Sequence, residues 1–186
     1  MHLTGAAILA IFIAVSIAVI VVLLHFTRAG QLLHENIQDR PRRRFFLASI
    51  SFFITFFAVR AIVYCITHHI AGFGFVIVGG AHIHHLVWGI LILLAVGYGW
   101  LAEFGNGTDP SQRFASVLMS LLYGVGAALT LDEFAIWLYL DPNAYWGRQN
   151  RDNIDAIILM GALLGIGAWG APFFAALAGW RKKAAA

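Results

Sequence analysis

From Leu3 to Phe26 the chain carries no Asp, Glu, Lys or Arg, and Arg28 is its first formal charge. An apolar run of that length predicts a membrane-spanning helix over residues 6–26, because about 20 residues at a rise of 1.5 Å cross the hydrocarbon core. The next apolar stretch, residues 45–70, has Arg60 as its one formal charge and predicts a second span. Gly72, Gly74, Gly79 and Gly80 then interrupt the pattern before a third span over 84–101. The segment 71–83 is apolar yet glycine-rich. It reads either as an interfacial or re-entrant piece, or as the early start of a long, tilted third helix. Gly105-Asn106-Gly107-Thr108-Asp109-Pro110 is a turn cluster, the fourth span covers 114–140 and the fifth 154–180. The pattern predicts an all-α, polytopic membrane helix bundle of about five transmembrane helices, one transmembrane domain over 1–186 without internal repeats.

Composition sharpens this. Of 186 residues 61% are hydrophobic and 11% charged, where a soluble domain carries about 25% charged residues. Mean hydropathy is +0.82, and about five crossings with short loops leave no length for a separate soluble domain. The single cysteine, Cys65, closes no intrachain disulfide and completes no cysteine zinc motif, so a metal site here would use His and carboxylate. A net charge of +3 raises the question of nucleic acid. The basic residues border apolar spans instead of alternating with stacking aromatics, which argues against a nucleic-acid partner and for a role in topology.

Arg28, Arg40, Arg42, Arg43 and Arg44 follow the first span, Arg113 follows the third, and Arg181, Lys182 and Lys183 follow the fifth. Only Arg148 and Arg151 flank the opposite side. The positive-inside rule then places the N-terminus outside and the C-terminus in the cytoplasm. The first span reads as a retained helix, since its basic residues follow the apolar run and do not precede it as in a signal peptide. Pro41-Arg42-Arg43-Arg44 reads as an orientation anchor in preference to an anionic-lipid site, and Trp137, Tyr139, Tyr145 and Trp146 as an interfacial aromatic belt.

Ionisable groups inside a bilayer cost several kcal/mol unless paired or hydrated, so those that remain are informative. Arg60, Tyr64 and His68 recur at i, i+4, i+8 and form one polar stripe. Ser120, Gly124, Ala128 and Asp132 share the same spacing, a small-residue seam that admits a neighbouring helix and ends in a carboxylate, with Glu133 next to it. Neighbours on a helix diverge by about 100°, so one carboxylate is expected to neutralise Arg60 and the other to stay free. Gly161 and Gly165 read as helix packing. His68, His69, His82, His84 and His85 lie within 18 residues. If helical, His82 and His85 share a face; if extended, His82 and His84 do. The candidate metal ligands are His68, His82, His84, His85 and Asp132, with Glu133 and Arg60 as candidate catalytic residues. These nitrogen and oxygen donors suit a transition metal, Zn or Fe and also Mn.

The strings Gly80-Ala81-His82-Ile83-His84-His85-Leu86-Val87-Trp88-Gly89, Leu131-Asp132-Glu133-Phe134-Ala135-Ile136-Trp137-Leu138 and Tyr145-Trp146-Gly147-Arg148 resemble those of a family of small bacterial multi-pass integral membrane proteins. The resemblance implies a bacterial plasma-membrane location and carries no activity. The chemistry is loosely similar to that of the seven-helix alkaline ceramidases, where His and Asp hold zinc, but this chain has about five spans and no late His-x-x-x-His pair.

The first functional expectation is a metal-dependent enzyme, a hydrolase or an iron-dependent oxidoreductase, acting on a lipid or apolar substrate from the outer leaflet. Three of the candidate ligands would hold the metal, Glu133 would act as general base, and Arg60 would stabilise an oxyanion or phosphate. The alternatives are a proton or metal-ion transporter, a b-type haem protein with two axial histidines, and a non-catalytic structural membrane subunit. Against transport, the sequence offers no evident relay from the polar cluster towards the cytoplasm.

Overall fold

The computed structural model describes residues 5–28, 35, 37–70, 77–78 and 81–170. Six α-helices account for most of them: α1 (Gly5–Phe26), α2 (Arg40–Thr67), α3 (His85–Leu101), α4 (Pro110–Leu131), the short α5 (Phe134–Tyr139) and α6 (Asn150–Gly165). A 3-10 turn (Pro142–Tyr145) precedes α6, and a π-helical turn (Ile166–Gly170) continues it. Among the described residues three helices are long and apolar enough to cross a membrane: α2, α4, and α6 with its π turn. Their length and hydropathy mark a membrane-associated helical protein; Ala10–Leu24 of α1 and the whole of α3 are shorter apolar helices.

Local sequence explains the starts. Asp39 and Asp109 are extended N-caps, each followed by proline in the first turn, and Asp109 accepts the Gln112 amide at 3.1 Å. Proline suits that position because its missing N–H would have no partner there. Gly105, in the expected turn cluster, has φ +79°, and a Cβ there would also strike the Ser116 backbone.

In the segment 71–83 the described backbone forms a short antiparallel pair, β1 (Ile77–Val78) with β2 (Ala81–His82), registering Ile77 against His82. The third helix therefore does not start early; it starts at His85. The fourth span also differs from expectation, since α4 ends at Leu131 and a turn at Asp132–Glu133 separates it from α5. Of the fifth span, residues 171–180 lie outside the described residues, as do the basic residues Arg181, Lys182 and Lys183 of the tail.

The central helix is α4, packed on α2 along one side and α3 along another, with α1 and α6 outside. The predicted small-residue seam is the reason: a Cβ on Gly124 would come within 2.2 Å of the Ala48 carbonyl oxygen and the Ser51 hydroxyl of α2. Gly89 of α3 and Gly126 of α4 likewise bring α3 against α4. Gly161 packs on the Phe53 ring as expected, whereas a Cβ on Gly165 would meet nothing within 4 Å among the described residues. Phe52, Ala48, Ala128, Ile157 and Leu164 form the core. The α2–α4 seam also buries four hydroxyls, Ser51, Thr55, Ser116 and Ser120. Ser51 donates to Leu121 O at 2.8 Å, and Ser120 to Ser116 O at 2.6 Å. Such bonds to backbone carbonyls let polar groups sit in a dry interface.

The bundle has two polar ends. Arg40–Arg44, the end of α3, the start of α4 and the π turn meet at an arginine end, where Arg44 reaches Ser116 and Arg42 reaches Ala168 O. Arg60, the start of α3, the end of α4 and the start of α6 meet at a histidine end.

Candidate functional site

Asp132 is fully buried at the turn after α4. It is the C-cap residue of that helix, whose carboxyl-terminal dipole disfavours a negative charge, so its partners matter. Arg60 of α2 donates through Nε to Oδ1 and through Nη2 to the Asp132 carbonyl at 3.3 Å. Its remaining Nη1 donates to Asn150 Oδ1 at 2.8 Å. The guanidinium lies over the Tyr145 ring, 4.5 Å from its centroid, with Trp146 and Phe56 a little farther away. The expected pairing across the second and fourth helices is thus made by Asp132. Its other oxygen, Oδ2, accepts the Tyr145 hydroxyl at 2.7 Å and faces His85 Nε2 at 3.1 Å. Burial, and next the Asp132 charge, push the Tyr145 phenol well above its ordinary range, which keeps it a proton donor in this bond.

Glu133 is not the free carboxylate expected. His84, the extended N-cap residue of α3, places Nδ1 at 2.7 Å from Oε1, and His85 Nδ1 faces the same oxygen at 3.5 Å. The Leu86 amide donates to Oε2 at 2.9 Å. An acceptor was needed there, because the first-turn amides of a helix have no partner within it and no side chain caps α3 from His84. The bond to Glu133 raises the His84 pKa above its ordinary value; burial acts in the opposite direction but more weakly.

The structure brings together His84, His85, Asp132, Glu133 and Arg60. It does not bring in His68. Helix α2 ends one residue earlier, and the His68 ring folds back on its own helix, with Nδ1 at 3.0 Å from Tyr64 O and the ring stacked on Tyr64. His82 lies in β2, and its side chain is outside the described residues. Among the described residues no group of three His, Cys, Asp or Glu side chains is arranged to hold a metal ion. The geometry gives a reason: the His85 ring stands between the two carboxylates with a different nitrogen towards each, so the pair does not close on one ion through it.

Three members were not anticipated. The sequence pattern places Tyr145 in the aromatic belt, but it is buried; Trp137, Tyr139 and Trp146 are the exposed ones. Asn150 binds Arg60, and the buried Asn153 accepts the Ala135 amide at 2.6 Å while its own Nδ2 has no partner among the described residues. Both asparagines precede the expected fifth span, within the polar stretch 148–155, so nothing in the sequence set them apart. Beside the network, an apolar groove of about 570 Å³ runs between α5 and α6, with Leu131 and Phe134, which flank the two carboxylates, in its wall. No family model, curated protein or solved structure matches the chain.

Proposed function

We propose that this is a multi-pass protein of the bacterial plasma membrane, crossing it five times with the N-terminus outside, and that its histidine end is the loading site of a proton pathway. One observation carries this reading. His85 presents Nε2 to Asp132 and Nδ1 to Glu133, and ionised carboxylates only accept. A neutral imidazole has one N–H, so one of its nitrogens then opposes a carboxylate lone pair to lone pair. A proton held on His85 or on either carboxylate relieves that opposition, and moving it along the row His84, Glu133, His85, Asp132 needs only short transfers. Of the four side chains His84 is the most exposed, at 25%, and Asp132 the least, at 0%. The buried hydroxyls of the α2–α4 seam supply polar groups between this end and the arginine end. The test is proton flux into liposomes holding purified protein and an enclosed pH dye. Wild type should dissipate an imposed gradient, and His85→Gln or Glu133→Gln should cut the rate at least tenfold. A wild type no faster than empty liposomes rejects the reading.

The metal-dependent enzyme remains the second reading, because His84 Nδ1 and His85 Nδ1 address one Glu133 oxygen, a set of donors suited to Zn, Fe or Mn. The apolar groove supports a lipid or other apolar substrate. In this reading Arg60, already bonded to Asp132, positions the carboxylate. Stoichiometric metal in untagged protein, lost in His84→Ala and His85→Ala, would replace the proton pathway with this reading.

A further inference from the structure

The arginine end is charged differently from the histidine end. Arg40 donates to Asn106 O and, at 3.0 Å, to Gly107 O. Arg44 donates to Gly105 O at 2.7 Å, Asn106 Oδ1 at 3.0 Å and Ser116 Oγ at 2.9 Å, and Arg42 to Ala168 O at 2.9 Å. Every one of these acceptors is neutral. They satisfy donors without cancelling charge, and among the described residues no ion pair joins Arg40, Arg42, Arg44 or Arg113 to a carboxylate. Asp109 is nearby but turned to Ser111 and Gln112 as a helix cap. The Arg113 side chain is exposed and makes no hydrogen bond among the described residues, and its charge and that of Arg40 both act on Arg43. Two long helices, α2 and α4, add their positive N-terminal dipoles at the same place. The Trp100 ring lies under Arg44, and its buried Nε1 has no partner among the described residues.

Around this charge the surface is apolar: Phe45, Leu101, Phe104 and Phe114 are exposed, Leu101 to 87%. A ligand that fits both features has an anionic head and hydrocarbon tails. We infer that Arg40, Arg44 and Arg113 form a site for the headgroup phosphate of an anionic phospholipid, with its acyl chains along Phe45, Leu101, Phe104 and Phe114. The guanidinium fork matches phosphate oxygens, and Arg40 and Arg44 are held in place in advance by the loop carbonyls. Neither peptide nor nucleic acid would need the apolar border.

The experiment counts lipids retained by the full-length, delipidated protein in native mass spectrometry after adding phosphatidylglycerol or phosphatidylcholine. Wild type should prefer phosphatidylglycerol by at least about tenfold. Arg40→Gln with Arg113→Gln should lower phosphatidylglycerol affinity by about 25-fold, at about fivefold per arginine, and leave phosphatidylcholine unchanged. Arg113→Gln alone, which removes no hydrogen bond seen among the described residues, should show the single fivefold step, and the Lys versions, which keep the charge and lose the fork, should fall between wild type and the Gln variants. Arg148→Gln with Arg151→Gln, the same charge change at the other end, should have no effect. Equal retention of the two lipids by wild type overturns the proposal, as does an unchanged preference in the Gln variants. Complete displacement of phosphatidylglycerol by about 10 mM inorganic phosphate would overturn the lipid as ligand and leave a site for free phosphate.

Discussion

Arg60 and Arg44 lie on the same helix and meet opposite solutions. Arg60 sits among aromatic rings, where its charge is met by the buried carboxylate of Asp132 and its remaining donors by Asn150 and a backbone carbonyl. Arg44, near the end of the bundle, is content with carbonyl, amide and hydroxyl oxygens. The depth of a charge decides which kind of partner it needs. In a low-dielectric interior an unpaired ion costs several kcal/mol, whereas near water hydrogen bonds suffice and the charge stays available to something else. The histidine end is therefore closed around its own charges, and the arginine end is open to a foreign one.

The largest test of this contrast is Arg60→Ala, which strands the Asp132 carboxylate. Thermal unfolding in detergent should show a loss of about 3–5 kcal/mol, partly restored by adding Asp132→Asn. Gly124→Ala attacks the seam joining the two ends. Its Cβ meets Ala48 O and Ser51 Oγ at 2.2 Å, and the strain of forcing the helices apart should cost about 1–3 kcal/mol. Arg44→Ala should cost less than Arg60→Ala, about 1–2 kcal/mol by the same melt, because it leaves only neutral acceptors behind. An equal or larger cost would undo the contrast between the ends.

A smaller effect separates the ends by pH. The His84 pKa is raised in the folded protein by its bond to Glu133. The stabilisation from this pair is fully present below the ordinary histidine value of about 6.5 and is lost as pH rises through the raised value. Melting temperature should therefore fall across that window in wild type, and His84→Gln should flatten the curve while Arg44→Ala leaves its shape unchanged. The smallest change is Gly97→Ala, where a Cβ meets nothing within 4 Å. It should be neutral or stabilising by at most about 1 kcal/mol.

Sequence patterning makes the helices legible wherever the membrane sets the rule. A long apolar run must become a helix, Arg60 must find a carboxylate, and Ser120-Gly124-Ala128 must face a neighbour; each of these is observed. The break at Asp132–Glu133 is hidden because apolar residues continue on both sides of it, so hydropathy cannot register a turn. His84 and His85 are adjacent, and no helical or strand period would bring both to Glu133. They converge because the backbone changes from extended to helical between them. Tyr145 is invisible for a different reason: an aromatic residue near a membrane surface has the same pattern whether its hydroxyl meets water or Asp132.

The dry α2–α4 seam also has an electrical consequence. Arg44 and Arg60 are 16 residues apart on α2, about 24 Å of helix, and neither α2 nor α4 carries a formal charge between the two ends. In an energised membrane most of the transmembrane voltage falls across such a stretch, and one elementary charge carried along it gains or loses about 2.3 kcal/mol per 100 mV. A proton passed from His84 to Asp132 crosses little of that drop. On the proposed proton pathway, loading of the histidine end should answer to the acidity of the adjacent face and ignore voltage, whereas any charge continuing to the arginine end would carry a voltage-dependent current.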